Sequence, residues 1–313
     1  MLVDQRKDVV LTIAENDYLF GAGALYNSLV ASGFSGEFVV FCRRTDDMCQ
    51  RVLRQLQTAR EPRVSFRIID TPRHLAMQKA AFMSDCFSAW PEAGCVTYFD
   101  PDILVNEVHW SWVRTWCAHG VALAADINWD VPSRHPVRKE WARLLRSAGH
   151  AVRKPLDVYY NAGFVSLART EARFCELWAQ FVDRFGANDK PLELHGEIKD
   201  WPRKGRWETV ELPDQDTLNM TAMAWEGHLS EFGPDLMGFA PGICHLPHAL
   251  GTPKPWRGNI FRAAIAGRLP RTADKAFWDH AERPVALFPK SYRLFRRFSL
   301  SLAAAVGSFY QRR

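Results

Sequence analysis

The sequence predicts an α/β protein built on a mostly parallel sheet with helices on both faces. Two observations support this prediction. Short apolar, β-branched runs alternate with helical segments at about the period of βαβ units. The composition, 47% hydrophobic and 24% charged, is that of a globular protein with a sizeable core. In such sheets, ligands bind outside the carboxyl ends of the strands.

The predicted elements follow one another without a clear linker. The predicted strands are residues 8–14, 37–42, 63–69, 94–99, 121–125 and 163–168, and the predicted helices are residues 18–29, 46–56 and 75–90. A polar, basic stretch over 187–211 interrupts this pattern and is interpreted as an excursion or hairpin near the cleft, or as a surface loop. The expected organisation is one domain over 1–270 followed by a helical basic tail over 271–313.

Charge is unevenly distributed along the chain. The formal net charge is +5, but residues 283–313 hold seven Lys and Arg side chains and no acid, which leaves the rest close to neutral. A nearly neutral body argues against broad nucleic-acid binding. Seven scattered cysteines without a CxxC pair fit a reducing cytosol, and no apolar run reaches the roughly 18 residues of a membrane span. We expect a cytoplasmic protein, either soluble or peripheral on the inner face of the membrane.

A pair of carboxylates ends the fourth predicted strand. In the segment TYFDPDILV, the apolar strand leads directly into Asp100, Pro101 and Asp102. Two carboxylates two residues apart at the carboxyl end of a buried strand suit a hard divalent cation that bridges phosphates. A simple turn is the competing interpretation, because Asp and Pro both favour turns.

The segment HALGTPKPW, residues 248–256, favours a metal site over a simple turn. His248 can complete a metal site, since imidazole suits Mn²⁺ as well as zinc. Lys254 can pair with a phosphate, and Gly251 permits close approach of the backbone. We expect Trp256 to pack beneath this phosphate loop. The competing interpretation is a Pro- and Gly-rich surface loop with an incidental histidine.

Two smaller motifs lie between these segments. The run Tyr159-Tyr-Asn161-Ala-Gly163 opens the last predicted strand. The run Asp214-Gln215-Asp216 precedes TLNMTAM, where Asp214 could simply cap a helix. Neither motif is informative alone.

Together, these patches resemble glycosyltransferase family 8, the group that includes glycogenin and bacterial lipopolysaccharide galactosyltransferases. The family pattern is an N-terminal strand with a Tyr-bearing helix, a DxD after a strand, an NAG, a DQD and an HxxGxxKPW. All five occur here in that order between residues 8 and 256, and the HxxGxxKPW match is complete. The resemblance implies a GT-A fold, in which a Rossmann-like nucleotide-binding sheet is merged with an acceptor region.

The resemblance also implies a donor site for a sugar nucleotide, expected to be a UDP-sugar, with Mn²⁺ or Mg²⁺ as the cation. Asp100, Asp102 and His248 would be the metal ligands. The residues that would line the uracil and ribose pocket are Thr12, Ala14, Glu15 and Tyr18, and those that would hold the diphosphate are Gly251 and Lys254. The donor sugar would be held by Asn161, Ala162 and Asp214, with Gln215 at the anomeric carbon. Lys79 would reach the diphosphate or the sugar.

The implied reaction transfers a hexose with retention to a glycan or lipid-linked acceptor, as in lipopolysaccharide or polysaccharide synthesis. Because the DQD offers an amide, Gln215, where a nucleophilic carboxylate would be convenient, same-face attack assisted by the leaving phosphate is favoured. Asp214 as a nucleophile is the alternative. The sequence departs from the family pattern in three places: Pro101 has no backbone N–H to offer a ligand, Glu15 replaces the usual Asn or Asp of the nucleobase pocket, and the gap between Asn161 and Asp214 is long.

The C-terminal residues 291–313 have an amphipathic pattern. The apolar stripe consists of Phe295, Phe298, Leu302, Ala305 and Phe309, and the flanking bases are Arg293, Arg296 and Arg297. This pattern suits a helix lying on an anionic membrane surface, which would bring the enzyme to a lipid-linked acceptor. A terminal helix packed on the body, with its arginines in solvent, is the other interpretation.

Two further classes of function fit parts of the pattern. A catalytically silent protein of the same fold could bind a sugar nucleotide or a glycan, although the intact DPD, DQD and HxxGxxKPW argue against silence. A metal-dependent phosphohydrolase could use Asp100 and His248, but the sequence lacks a second carboxylate cluster for a two-metal site.

Overall fold

The computed structural model describes residues 7–43, 50–59, 61–127, 131–186, 210, 212–258, 260–265 and 269–308. The strands in these residues are β1 (Val9–Ile13), β2 (Glu37–Cys42), β3 (Arg63–Ile68), β4 (Cys95–Phe99), β5 (Val121–Ala125), β6 (Tyr160–Ala168) and β7 (Leu229–Phe232). The α-helices are α1 (Tyr18–Ala31), α2 (Gln50–Gln57), α3 (Lys79–Ala89), α4 (Trp110–Thr115), α5 (Pro136–Ser147), α6 (Arg173–Phe185), α7 (Pro213–Ala224), α8 (Ile260–Ile265), α9 (Thr272–Asp279) and α10 (Lys290–Ser308).

The strands form one sheet in the order β3-β2-β1-β4-β6-β5-β7. The pairs β1–β4, β2–β3 and β5–β7 are parallel, and β5–β6 is antiparallel. Every residue of β1, β2, β4 and β5 is buried. Strands covered on both faces have no solvent side that needs polar residues, which explains why they read as nearly continuous apolar runs. The predicted α/β class with a mostly parallel sheet is confirmed.

Five of the six predicted strands agree with the structure to within one residue at each end. The exception is β6, which begins at Tyr160, so that the NAG motif lies inside the strand. The helix predicted over 75–90 divides into a 3-10 turn, Leu75–Gln78, and α3. Strand β7 was not predicted, because its sequence LSEF is short and half polar. The start of the second predicted helix, 46–49, and all but one residue of the stretch 187–211 lie outside the described residues.

The chain divides into two compact units. The first comprises the N-terminal segment through Ile13 together with Asp70–Tyr98 and Val113–Pro234. The second comprises Ala14–Ile69, Phe99–Trp112 and the chain from Asp235 onward. None of the helices described is both long and apolar enough to cross a bilayer.

Within the second unit, the C-terminal segment is bound to helix α1. The amide of Asn27 donates to the carbonyl of Val285 at 2.8 Å and accepts from its N–H at 2.9 Å. The ring of Phe20 stacks on Phe288 with 4.7 Å between centroids. Because the hydrogen bonds between Asn27 and Val285 are buried, they fix the chain that leads into α10.

Helix α10 packs on the body with two of its arginines buried, whereas the packed-tail interpretation expects the arginines in solvent. Arg293 and Arg296 are 8% and 7% exposed, whereas Phe295 and Phe298 are 62% and 66% exposed. The helix therefore packs on the body through its arginine side, and its apolar stripe faces outward. Leu302 and Ala305 are exposed as well, and Phe309 lies outside the described residues.

Candidate active site

The DPD turn and the HALGTPKPW segment are joined by backbone hydrogen bonds in the second unit. Ile103 and His248 form an isolated antiparallel bridge. On either side of it, the Ala249 N–H donates to the Asp102 carbonyl at 2.9 Å, and the Leu104 N–H donates to the Pro247 carbonyl at 3.3 Å. This short ladder places the imidazole beside the carboxylates although the two segments are distant in sequence.

Asp100, Asp102 and His248 offer ligand atoms that lie within 4.8 Å of one another. Asp102 and His248 are buried, and Asp100 is half-buried. The His248 Nε2 atom lies 3.3 Å from Asp102 Oδ1, and its Nδ1 is buried without a hydrogen-bond partner among the described residues. An unpartnered buried ring nitrogen is unusual in a purely structural histidine. Two carboxylates and an imidazole form a donor set that fits Mn²⁺ or a similar divalent cation.

Lys254 is buried against this cluster. Its Nζ contacts Asp102 Oδ2 and donates to the Ala249 carbonyl at 2.8 Å. Burial alone would raise the pKa of Asp102, but the charges of Lys254 and His248 outweigh it and hold that pKa well below its usual range. Burial alone would lower the pKa of Lys254, but the negative charge of Asp102 outweighs this effect, so that the pKa of Lys254 is raised. The pair is therefore ionised, and Asp102 belongs both to this ion pair and to the cluster with Asp100 and His248.

A second cluster surrounds Tyr18 at the start of α1. The Trp256 ring meets Tyr18 edge-on with 5.4 Å between centroids. The Arg257 guanidinium lies 5.3 Å and the Lys254 ammonium 5.8 Å from the centroid of the Tyr18 ring. Asp17 accepts a hydrogen bond from Trp256 Nε1 at 3.0 Å and pairs with Arg257 through two contacts. The sequence did not single out Asp17 or Arg257, because neither belongs to a recognised motif.

Gly21 in α1 allows this packing. A Cβ atom built on Gly21 would lie 2.2 Å from the Pro101 carbonyl oxygen and 3.0 Å from the Trp256 ring. The glycine therefore lets the helix approach the DPD turn and the tryptophan together.

We expect Gly21→Ala to destabilise the protein by about 1–3 kcal/mol, because the obstacle is backbone that cannot move aside. Gly23→Ala is the matched control on the same helix, since its Cβ would meet a flexible Leu287 methyl. Thermal unfolding of both variants checks this. Equal losses of stability in the two variants would contradict the proposed role of Gly21.

The first unit contains a separate amide and carboxylate network. Asp126 Oδ2 accepts hydrogen bonds from Asn161 Nδ2 at 2.8 Å and from Gln215 Nε2 at 3.1 Å. Gln215 Oε1 accepts from the Ala162 N–H at 3.0 Å. Asp126 follows β5 directly, so its position at a strand end was a signal that sequence reasoning missed. The carboxylate fixes the orientation of both amides.

Lys79 connects the NAG and DQD motifs within the same unit. Its Nζ donates to the Ala162 carbonyl at 3.2 Å and pairs with Asp214 Oδ2 at 2.9 Å. Asp216 points elsewhere: it accepts from the Tyr159 hydroxyl at 2.6 Å and from the Leu212 N–H at 2.9 Å. The sequence related these residues only by resemblance. In the structure, direct contacts join Lys79, Ala162, Asp214 and Gln215, and Asp126 links Asn161 to Gln215.

Of the other residues that the resemblance implies, Thr12 belongs to the first unit, and Ala14, Glu15 and Gly251 belong to the second. In the first unit, the Thr12 side chain is fully buried in β1, with no described group bonded to its hydroxyl. In the second, the Ala14 N–H donates to the Phe41 carbonyl at 2.9 Å, and Glu15 pairs with Arg43 at 3.1 Å. Gly251 is exposed and has a φ of +68° in open space, a conformation that favours glycine.

Comparisons with solved structures place the fold. No protein-family model matches the sequence, and no curated protein matches it either. The bifunctional glycosyltransferase WbbM superposes with a TM-score of 0.55 at 14% identity over 95% of this chain, which spans 53% of the WbbM chain. The galactosyltransferase LgtC, in complex with donor and acceptor sugar analogs, superposes with a TM-score of 0.52 at 14% identity, covering 91% of this chain and 99% of its own. The fold is of the GT-A type. The apo form of GlyE from Streptococcus pneumoniae TIGR4 agrees, with a TM-score of 0.50 at 14% identity over 95% of this chain and 64% of its own.

Proposed function

We propose that the protein is a retaining glycosyltransferase that moves a hexose from a nucleotide-diphosphate sugar, expected to be a UDP-sugar, to a glycan or glycolipid acceptor. The observation that carries this proposal is the convergence of Asp100, Asp102 and His248, with Lys254 bonded to the same carboxylate. In a GT-A fold, these metal ligands favour a site that stabilises a diphosphate leaving group. They argue against the interpretation of the DPD segment as a simple turn.

Stabilisation of the leaving diphosphate is the task assigned to the second unit. A divalent cation held by Asp100, Asp102 and His248 would supply positive charge where negative charge develops on departure. Lys254 adds a fixed ammonium beside these ligands, and Gly251 offers exposed backbone to a phosphate oxygen. The half-buried Tyr18 ring, framed by Trp256, presents an aromatic surface for the nucleobase.

Binding of the donor sugar is assigned to Asn161, Ala162, Asp214, Gln215 and Lys79. The Gln215 amide is engaged at both ends, and Asp214 is paired with Lys79. Neither side chain is therefore arranged as a free nucleophile, which supports same-face attack over a covalent intermediate. The active site of LgtC, which has the same fold, also contains a glutamine.

Donor hydrolysis across a panel of nucleotide sugars, with Mn²⁺ and with a chelator, tests this proposal. We expect slow, Mn²⁺-dependent release of one hexose from one nucleotide diphosphate. Tight binding of a sugar nucleotide without any hydrolysis or transfer would instead indicate the catalytically silent protein. Turnover that a chelator leaves unchanged would contradict the metal assignment.

The outward face of α10 supports a lipid-linked acceptor. Phe295 and Phe298 are exposed on a helix that begins at the exposed Lys290, an arrangement that suits the surface of an anionic bilayer. The buried Arg293 and Arg296 are bonded within the protein and do not face lipid.

We expect Phe295→Ser/Phe298→Ser to reduce partitioning onto phosphatidylserine-containing vesicles at least tenfold, because two large apolar contacts are lost. Vesicle sedimentation measures this. Ile243→Ser, which removes another highly exposed apolar side chain, is the matched control. Unchanged partitioning of the double variant would contradict membrane docking through this face.

A further inference from the structure

Two arginines that belong to no recognised motif, Arg271 and Arg296, contact main-chain carbonyls of the loop 249–258, which carries Gly251 and Lys254. Arg271, just ahead of α9, contacts the Leu250 carbonyl and donates to the Pro253 carbonyl at 3.2 Å. Arg296 of α10 donates to the Pro255 carbonyl at 3.0 Å. The two carbonyls that flank Lys254 are thus each held by an arginine.

Backbone hydrogen bonds hold the two ends of the loop, at Ala249 and at Arg257 and Gly258, but no described backbone N–H is bonded to the carbonyls of its two prolines. Residues 249–258 contain no helix and no strand. Pro253 and Pro255 have no N–H to donate, so their carbonyls are the main-chain groups that a side chain can hold. Gly251 adds conformational freedom at the other end of the loop. Side-chain donors are therefore the means by which the carbonyls of Pro253 and Pro255 are fixed.

Arg296 is itself held in place by its surroundings. Its guanidinium lies 4.8 Å from the Trp278 ring centroid and 5.9 Å from that of Tyr292. Burial lowers the pKa of this arginine below its ordinary value. Arg271 is anchored differently: Asp274 accepts from its Nε at 3.0 Å and from its Nη2 at 2.9 Å. Both guanidinium groups are thus held in place by contacts that do not involve the loop.

We infer that Arg271 and Arg296 are positioning residues for Lys254, so that helix α10 supports the diphosphate-binding loop from within the fold. The expected effect on nucleotide binding rests on the proposed function. The claim that the two arginines hold the loop in place does not depend on that function. It gives the C-terminal helix a role in donor binding that is independent of any membrane.

The closing experiment compares two arginines of one helix. Arg296→Met keeps the apolar stem and removes the bond to the loop. Arg293→Met is the control, since Arg293 is equally buried but donates to the Phe288 carbonyl at 2.7 Å. Hydrogen exchange of the peptide 249–258 is measured first, and then the Kd for UDP with Mn²⁺ by calorimetry. We expect faster exchange in this peptide and a roughly tenfold weaker Kd for Arg296→Met alone, with partial recovery in Arg296→Lys.

Either of two results would overturn the inference: unchanged exchange of the loop in Arg296→Met, or the same changes in Arg293→Met. If Arg296→Met does not fold, Arg271→Met replaces it and the same two results decide. A wild-type protein that binds no nucleotide would contradict the proposed function, while the exchange data would still decide whether the arginines hold the loop.

Discussion

Asp102→Asn is expected to abolish metal-dependent turnover, with a loss of at least about 10³-fold, because one ligand of a charge-stabilising site is worth several kcal/mol. The same change should lower the free energy of unfolding by about 3 kcal/mol, since the buried Lys254 loses its counter-charge. Steady-state kinetics with Mn²⁺ and urea unfolding measure the two effects.

A double variant separates these two effects. In Asp102→Asn/Lys254→Met the unpaired charge is gone, so we expect much of the stability to return while activity stays lost. Mn²⁺-dependent turnover in Asp102→Asn would be inconsistent with a ligand role for this carboxylate. Because Lys254 is itself assigned to the diphosphate, the double variant tests stability alone, and stability that does not return would contradict the counter-charge argument.

Gln215→Glu is expected to have the second-largest effect. The glutamine donates to Asp126 at 3.1 Å, so a carboxylate in its place would set two buried acids against each other. We expect a loss of about 1–3 kcal/mol of stability and a fall in transfer of roughly 10²-fold through misplaced sugar contacts.

The sign of the pH dependence follows from the raised pKa expected for the new glutamate. A carboxyl group whose pKa is higher in the folded state than in the unfolded state destabilises the fold once it ionises. The free energy of unfolding of Gln215→Glu should therefore fall further below that of the wild type as the pH rises above about 4.3, the ordinary pKa of Glu. Unfolding at pH 5 and pH 8 measures it. Adding Asp126→Asn should restore stability by returning a donor, and a deficit that is the same at both pH values would refute the clash.

Much of the fold was predictable because strands buried on both faces read as apolar runs. The cluster of Asp100, Asp102 and His248 was predictable because its residues belong to compact motifs. Asp126, Asp17, Arg271 and Arg296 were not. Each is a single charged residue whose partner at the site lies at least 18 residues away in sequence. A local pattern carries no information about which distant group will meet it.

Helix α10 shows a second limit of sequence reasoning. The 3.6-residue period correctly grouped Phe295 with Phe298, but periodicity says which residues share a face and not which face is packed. The arginines turned inward because backbone carbonyls such as that of Pro255 and aromatic rings such as Trp278 can satisfy a buried guanidinium. The apolar stripe was left outside.

The central claim is that Asp100, Asp102 and His248 bind a cation that holds a nucleotide diphosphate. Its most direct test is the thermal shift of the wild-type protein with UDP, with and without Mn²⁺, because a bound ligand raises the melting temperature. The proposed site predicts that UDP stabilises the protein only when Mn²⁺ is present, and that Asp102→Asn loses this response. An equal shift in the presence of a chelator would contradict it.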